Sequence, residues 1–118
     1  MPPATTAGRR GSSIFLNGVK RYVAPVSGVD GYIVSANDSG KLALYWVPAG
    51  SKGLTKTTTP RADGTQSGTL QLSDVETSAA QRIALADEAR AALARALDEA
   101  VIIASAELFG VMDAALAM

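Results

Sequence analysis

The sequence predicts an α+β fold, in which a small antiparallel β-barrel or sandwich of about six strands precedes one long C-terminal helix. Residues 1–76 contain short runs rich in Val, Ile, Thr and Tyr, separated by Gly, Pro, Asn, Asp and Ser, a pattern typical of short strands. After Thr77 neither Pro nor Thr occurs, Ala dominates, and apolar residues recur at steps of three and four, as they do in helices. We therefore expect two units, a barrel over residues 1–76 and a helical unit over residues 77–118.

Six segments are predicted as strands because each is bounded by turn-forming residues. They span residues 4–9, 13–24, 31–36, 41–47, 54–59 and 68–72. The sequence NDSG at residues 37–40 predicts a tight hairpin between the third and fourth strands, and PAG at residues 48–50 ends the fourth. The pair Asn17-Gly18 also predicts a turn, because Gly accepts a left-handed backbone.

One long helix is predicted to end the chain. Ser78, with Gln81 three residues later, forms a plausible capping box, and Asp87 is an alternative start. The first part of the helix is amphipathic, with Arg95 spaced to pair with Glu99 on a solvated face.

The second part of the helix, residues 100–118, is predicted to need partners from outside the chain. Glu107 and Asp113 are its only charges, whereas a helix that faces water on one side keeps a polar stripe. The preceding strands are too few to surround a helix about 45 Å long at 1.5 Å per residue. We therefore expect a homo- or hetero-oligomer formed through this helix.

Composition excludes several classes of function. The formal net charge is zero, with 11 basic and 11 acidic residues, so nucleic acid is not an expected partner. His and Cys are both absent, which removes the usual general base at neutral pH and the thiolate metal ligands, so no metal site is predicted.

The start of the chain lacks the apolar core of a secretory signal, and the one long apolar run contains two carboxylates. We therefore expect a cytoplasmic protein without a membrane span.

A series of motifs resembles the middle β-domain of the acyl-CoA dehydrogenase family. It begins with LNGVKRYV at residues 16–23 and continues to Asp30, where the family has Gly-x-Lys, a strand aromatic, small residues and an Asp. YWVP at residues 45–48, GLT at 53–55 and LQLSDV at 70–75 follow in the order of the family. The segment 97–116 resembles the first long helix of the family's C-terminal bundle, so the resemblance covers nearly the whole chain.

The resemblance implies an FAD-dependent enzyme that removes hydrogens from the α and β carbons of an acyl-CoA substrate. A carboxylate takes the α proton while the flavin accepts the β hydride. By the same resemblance, Tyr22, Val23 and Ala24 are the cofactor-binding residues, with the Tyr22 ring against the flavin. Ala24 stands where the family commonly has Thr, so it offers a backbone N–H but no hydroxyl. The alternative for Tyr22 is an ordinary strand aromatic that packs on a neighbouring strand.

The resemblance also implies a fragment or truncated member that has little or no activity alone. It leaves out the family's N-terminal helical domain, the segment that opens the barrel domain and the later helices with the usual catalytic carboxylate. The best alignment places Ala100 at the position where a minority of members carry the base, so Glu99 is not nominated and no catalytic residue is predicted. Two alternatives stay open, namely a non-catalytic structural subunit of the same fold and a free-standing β-barrel binding module with an oligomerising helix.

Overall fold

A computed structural model describes residues 4–118 of the chain. Within these residues there are seven strands, a short 3₁₀ turn at Ala79–Gln81 and one α-helix. The strands are β1 (Thr6–Arg10), β2 (Ser13–Val23), β3 (Gly31–Asp38), β4 (Lys41–Pro48), β5 (Leu54–Pro60), β6 (Gln66–Thr77) and β7 (Arg82–Leu85), and the helix is α1 (Asp87–Leu116). The α+β class is confirmed, and each of the six predicted strands is present. The division into two family domains at residue 77 stays a prediction.

The strands form a single open sheet in the order β5-β6-β2-β1-β3-β4-β7. Neighbouring strands are antiparallel except β1 and β3, which pair in parallel through Thr6 with Asn37 and Ala7 with Asp38. Because β5 and β7 are the two edges over the described residues, the sheet does not close into the predicted barrel. Runs of strand-forming residues between turns predict strands but do not determine whether the first and last strands of a sheet meet.

One apolar core is built from alternate residues of β2, β3, β4 and β6. Its fully buried members include Leu16 on β2, Val34 on β3, Tyr45 on β4 and Leu70 on β6. Successive side chains of a strand point to opposite faces, so these residues share one face of the sheet. This core fixes the position of β2, whose end carries the predicted site.

A buried carboxylate connects four strands at one end of the sheet. Asp38, at the end of β3, is 3% exposed and accepts a hydrogen bond of 2.9 Å from the Tyr45 hydroxyl of β4. Arg9 of β1 and Arg82 of β7 also donate to it, at 3.3 and 3.4 Å. Burial raises the pKa of Asp38, but the hydrogen bond from Tyr45 and the charge of Arg9 outweigh burial, so this pKa lies below its usual value.

The hairpin predicted at residues 37–40 is confirmed. β3 and β4 pair up to Asp38 with Lys41, and the two-residue loop of Ser39 and Gly40 has φ values of 53° and 85°, as in a type I′ turn.

The turn predicted at Asn17-Gly18 is wrong, because both residues lie inside β2. Gly18 is needed there for a close approach, since a Cβ at this position would lie 2.7 Å from the Cα of Thr5.

The helix α1 begins at Asp87, which was the alternative start, and the predicted start at Ser78 is wrong. The Ser78 side chain makes no capping hydrogen bond, and the segment after the 3₁₀ turn forms β7, which pairs with β4. A four-residue run such as Arg82–Leu85 cannot be assigned to strand or helix by periodicity alone.

Beyond its first turn, α1 is not covered by the rest of the described chain. Ala89 is the one buried residue of this helix within residues 4–118, and it packs with Leu44 and Ala84 on β4 and β7. Large apolar side chains further along are open to solvent, for example Val101 at 63% and Phe109 at 69% exposure. The prediction that the strands cannot enclose this helix is confirmed.

The helix gives the molecule an elongated shape with a longest extent of 62 Å. No helix within residues 4–118 combines the length and the apolar character that crossing a membrane requires.

Candidate functional site

The predicted cofactor-binding residues lie at the end of β2, where Tyr22 is in a β-bulge, Val23 ends the strand and Ala24 follows it. This strand pairs with Leu70 of β6 through Lys20 and next with Gly68 through Val23, so β2 has one residue more than β6 between the two pairs. The extra residue forms a bulge that contains Tyr22, whose φ is 59°. Residues other than Gly rarely adopt this left-handed conformation. Bulges of this kind often re-aim side chains beside active sites.

Tyr22 presents its ring to solvent. Its side chain is 87% exposed, whereas the other two tyrosines, Tyr32 and Tyr45, are buried in the core. An aromatic residue that packed on a neighbouring strand would be largely covered, so this alternative does not describe Tyr22. Strained backbone conformations cluster at functional sites, so the exposed ring of Tyr22 is a candidate ligand contact.

Val23 and Ala24 differ in what they offer to a ligand. Val23 is half-buried and packs against the core, which anchors the bulge. Ala24 is exposed and lies just after the end of β2, on the loop that leads to β3. This loop is held by Val26, which is buried and whose carbonyl accepts a hydrogen bond from the Tyr32 hydroxyl. Tyr22 and Ala24 are therefore the accessible members of the predicted set.

Three surface depressions meet at the segment 21–25. The first has a volume of about 460 Å³, with walls from β2 and β3 that include Lys20 and Ile33. The second, about 400 Å³, is lined by Tyr22 and Thr59, and the third, about 610 Å³, is lined by Ala24 together with residues of the β5–β6 turn. These volumes are in the range of small-molecule sites.

Lys20 is a candidate binding residue that the sequence did not reveal. Its side chain is half-buried, and its Nζ donates a hydrogen bond of 2.9 Å to the Ser35 hydroxyl across the first depression. Burial lowers the pKa of Lys20. A charged residue in a predicted strand is most simply interpreted as exposed, and for Lys20 this interpretation is wrong. It failed because a strand pattern carries no signal for a gap between β2 and β3.

Comparison with known proteins gives matches among solved structures. No family model and no curated protein matches the chain. A glutaryl-CoA dehydrogenase from Mycobacterium smegmatis in complex with FADH2 is 26% identical, with a TM-score of 0.66 over 75% of this chain and 24% of that one. The prolyl acyl carrier protein oxidase AnaB is 28% identical, with a TM-score of 0.62 over 74% of this chain and 25% of that one.

A third solved structure that is similar to this chain is a complex of two proteins. The ChsE4-ChsE5 complex from Mycobacterium tuberculosis is 22% identical, with a TM-score of 0.63 over 71% of this chain and 24% of that one. The chain has an acyl-CoA dehydrogenase-like fold. The resemblance identified from the sequence is thus confirmed at the level of the fold. The chain spans about a quarter of the length of these acyl-CoA dehydrogenase-like structures.

Proposed function

We propose that this chain is the flavin-contacting β-domain and first long helix of an FAD-dependent acyl-CoA dehydrogenase. The observation that carries the proposal is the exposed Tyr22 ring, held in a strained bulge at the position where the family resemblance assigns the flavin contact. The similar glutaryl-CoA dehydrogenase, whose structure is a complex with FADH2, supports the choice of cofactor. The reaction of the intact enzyme would be α,β-dehydrogenation of an acyl-CoA thioester.

In this role the chain supplies one wall of the flavin site. The cofactor accepts the hydride when bound. Tyr22 offers a flat apolar face, and an aromatic stack of this kind contributes about 0.5–1.5 kcal/mol beyond the area that it buries. Ala24 offers only backbone groups to the polar edge of the ring. Positioning and shielding of the flavin by these residues require neither an imidazole nor a thiol.

The chain by itself is expected to have little or no dehydrogenase activity. Within residues 4–118, the depressions of about 460 and 400 Å³ are not lined by Asp or Glu. The third depression is lined by one carboxylate, Asp63, which is exposed in the β5–β6 turn and is hydrogen-bonded to Thr65. The carboxylate that takes the α proton would therefore come from outside the described residues.

A non-catalytic subunit of the same fold is the second candidate function, and Ala24 favours it. The missing hydroxyl removes one hydrogen bond that the family resemblance assigns to the flavin. In such a subunit the β-domain and α1 would hold a complex together without binding FAD.

The apolar surface of α1 is proposed to associate with a second copy of the chain. The helix contains two arginines and six carboxylates, a net charge of −4, whereas the residues before it contain nine basic and five acidic residues, a net charge of +4. Opposite charges on two parts of one chain favour a dimer in which the helix of one copy approaches the sheet of the other. The heteromeric alternative and the cytoplasmic location stay predictions.

Substitution of Tyr22 is expected to separate stability from flavin binding. In Tyr22→Gly the left-handed backbone loses its strain, so we expect the free energy of unfolding to stay equal or rise by about 0.5–1 kcal/mol. Flavin binding should be lost, because the aromatic face is removed. Urea unfolding and titration with FAD, followed by flavin absorbance, measure the two effects.

The matched control for this experiment is Tyr22→Phe. It keeps the aromatic face, so its flavin affinity should stay within about threefold of the wild type. Equal flavin affinity in the Tyr22→Gly variant and the wild type would contradict the proposed contact. Loss of binding in Tyr22→Gly together with a large loss of stability would instead indicate a structural role for the ring.

A further inference from the structure

Lys20 is a partly dehydrated cation without a counter-ion among the described residues. Its Nζ has one hydrogen-bond partner there, the Ser35 hydroxyl, at 2.9 Å. The five ion pairs within residues 4–118 involve arginines and do not include Lys20. An ammonium group carries three donors, and burial of a charge is unfavourable unless an opposite charge is near. The site is therefore suited to an anion from outside.

The surroundings of Lys20 combine this cation with apolar walls. We call the depression of about 460 Å³ between β2 and β3 the crevice. Its apolar lining includes Val23, Val29, Ile33, Val34 and Leu70. Its charged lining residues are Lys20 and Arg21, and no Asp or Glu of the described chain is among the lining residues. The crevice is thus positive at one end and apolar along its length.

We propose that the crevice binds an amphipathic carboxylate, with the carboxylate on Lys20 Nζ and the hydrocarbon chain against the apolar wall. The carboxylate would accept the donors of Lys20 that Ser35 leaves unused. A charge-assisted hydrogen bond in a partly dehydrated site is stronger than one between neutral groups. The apolar wall would remove the hydrocarbon from water.

A monoanion with an apolar chain fits the crevice better than a polyanion. One cation is half-buried inside the crevice, and the second, Arg21, is exposed at its rim. A phosphate or polyphosphate would place a second negative charge against the apolar side chains, where it would be dehydrated without a partner.

This inference goes beyond the proposed flavin contact, although Val23 and Ala24 of the predicted cofactor-binding set also line the crevice. The Tyr22 ring lines the neighbouring depression of about 400 Å³, not the crevice. The two proposals are distinguished by their central residues, since Lys20 lines only the crevice and Tyr22 only the neighbouring depression.

The test is a titration of the full chain with octanoate, observed residue by residue in ¹H–¹⁵N NMR spectra. We expect saturable shifts at residues 20–24 and 31–35, with a dissociation constant of about 1 mM for a ligand of this size. Octanol, which has the same chain length without the charge, should bind at least about fivefold more weakly. The pKa of Lys20, followed through its Cε resonance, should rise when octanoate is bound, because a negative charge favours the ammonium form.

Two lysine variants complete the experiment. Lys20→Met keeps the length of the side chain and should raise the dissociation constant of octanoate at least about tenfold. Lys56→Met removes an exposed lysine on β5 and should leave the dissociation constant unchanged. Lys20→Met should remain folded, since it removes an unpaired half-buried charge, and urea unfolding verifies this.

Two results would overturn the proposal. One is equal octanoate affinity in Lys20→Met and the wild type. The other is a set of shifts confined to α1 and shared with octanol, which would mean that octanoate binds only to the exposed apolar helix.

Discussion

Asp38→Asn is expected to lower the free energy of unfolding by about 3 kcal/mol at pH 7, because it removes the one negative charge between two arginines at a buried position. Asp38 is 3% exposed, and its carboxylate accepts hydrogen bonds from Tyr45, Arg9 and Arg82. The asparagine has nearly the same shape, so the loss is electrostatic and not a cavity effect. Denaturation by urea, followed by the fluorescence of the single tryptophan, Trp46, measures it.

The same carboxylate is expected to make the fold sensitive to acid. The pKa of Asp38 is lowered in the folded state, so the unfolded chain binds this proton more tightly. The contribution of Asp38 to the free energy of unfolding is therefore complete above the ordinary pKa of Asp, about 3.9. It is lost as the pH falls through the lower pKa that Asp38 has in the folded state. In the Asp38→Asn variant the stability should depend less steeply on pH below about pH 4.

Asp30→Asn is the matched control for both measurements. Asp30 is an exposed carboxylate on the loop before β3, and its substitution should leave the urea midpoint close to that of the wild type. Equal stability of Asp38→Asn and Asp30→Asn at pH 7 would show that the Asp38 cluster does not stabilise the fold.

Lysines placed on α1 are expected to weaken self-association at least about 100-fold, or about 2.7 kcal/mol. The variant combines Leu97→Lys, Val101→Lys and Leu108→Lys, at side chains that are 58–63% exposed in the single chain. In the dimer, each of the three new lysines would bury its ammonium group where the wild type buries an apolar side chain. Sedimentation velocity over a range of concentrations gives the dissociation constants.

The control for this variant places three lysines at exposed positions away from α1. Ser12→Lys, Ala62→Lys and Ala80→Lys add the same charge at exposed positions outside the strands, so a general effect of charge on association would weaken both variants equally. A wild-type chain that sediments as a monomer at all concentrations would contradict the proposed second-copy contact.

Much of the fold could be predicted because its determinants are local. Runs rich in Val, Ile, Thr and Tyr between turn-forming residues locate the six longer strands. The residues Asn37 to Gly40 form the predicted hairpin because Ser39 and Gly40 meet the backbone demands of a type I′ turn. The predictions that are wrong concern residues whose structure depends on contacts with residues distant in sequence. Arg82–Leu85 becomes a strand because β4 offers a free edge, and Gly18 stays in β2 because Thr5 passes beside it.

The candidate site was less predictable than the fold. Composition and spacing did not identify Tyr22, Val23 and Ala24, which were nominated by family resemblance. The bulge that exposes Tyr22 depends on the register between β2 and β6, and no local pattern encodes that register. Lys20 lines the crevice because β1, which lies between β2 and β3, pairs with them only as far as Asn17 and Asn37, and this depends on contacts distant in sequence.

The most direct test of the proposed function is whether a bound flavin lies against Tyr22. We would add FMN at millimolar concentration to the full chain and record intermolecular nuclear Overhauser effects to the tyrosine ring protons. The proposal predicts effects between the flavin ring and Tyr22, and none to the buried Tyr45. Flavin contacts that appear only at α1, or a complete absence of contacts at residues 22–24, would contradict it.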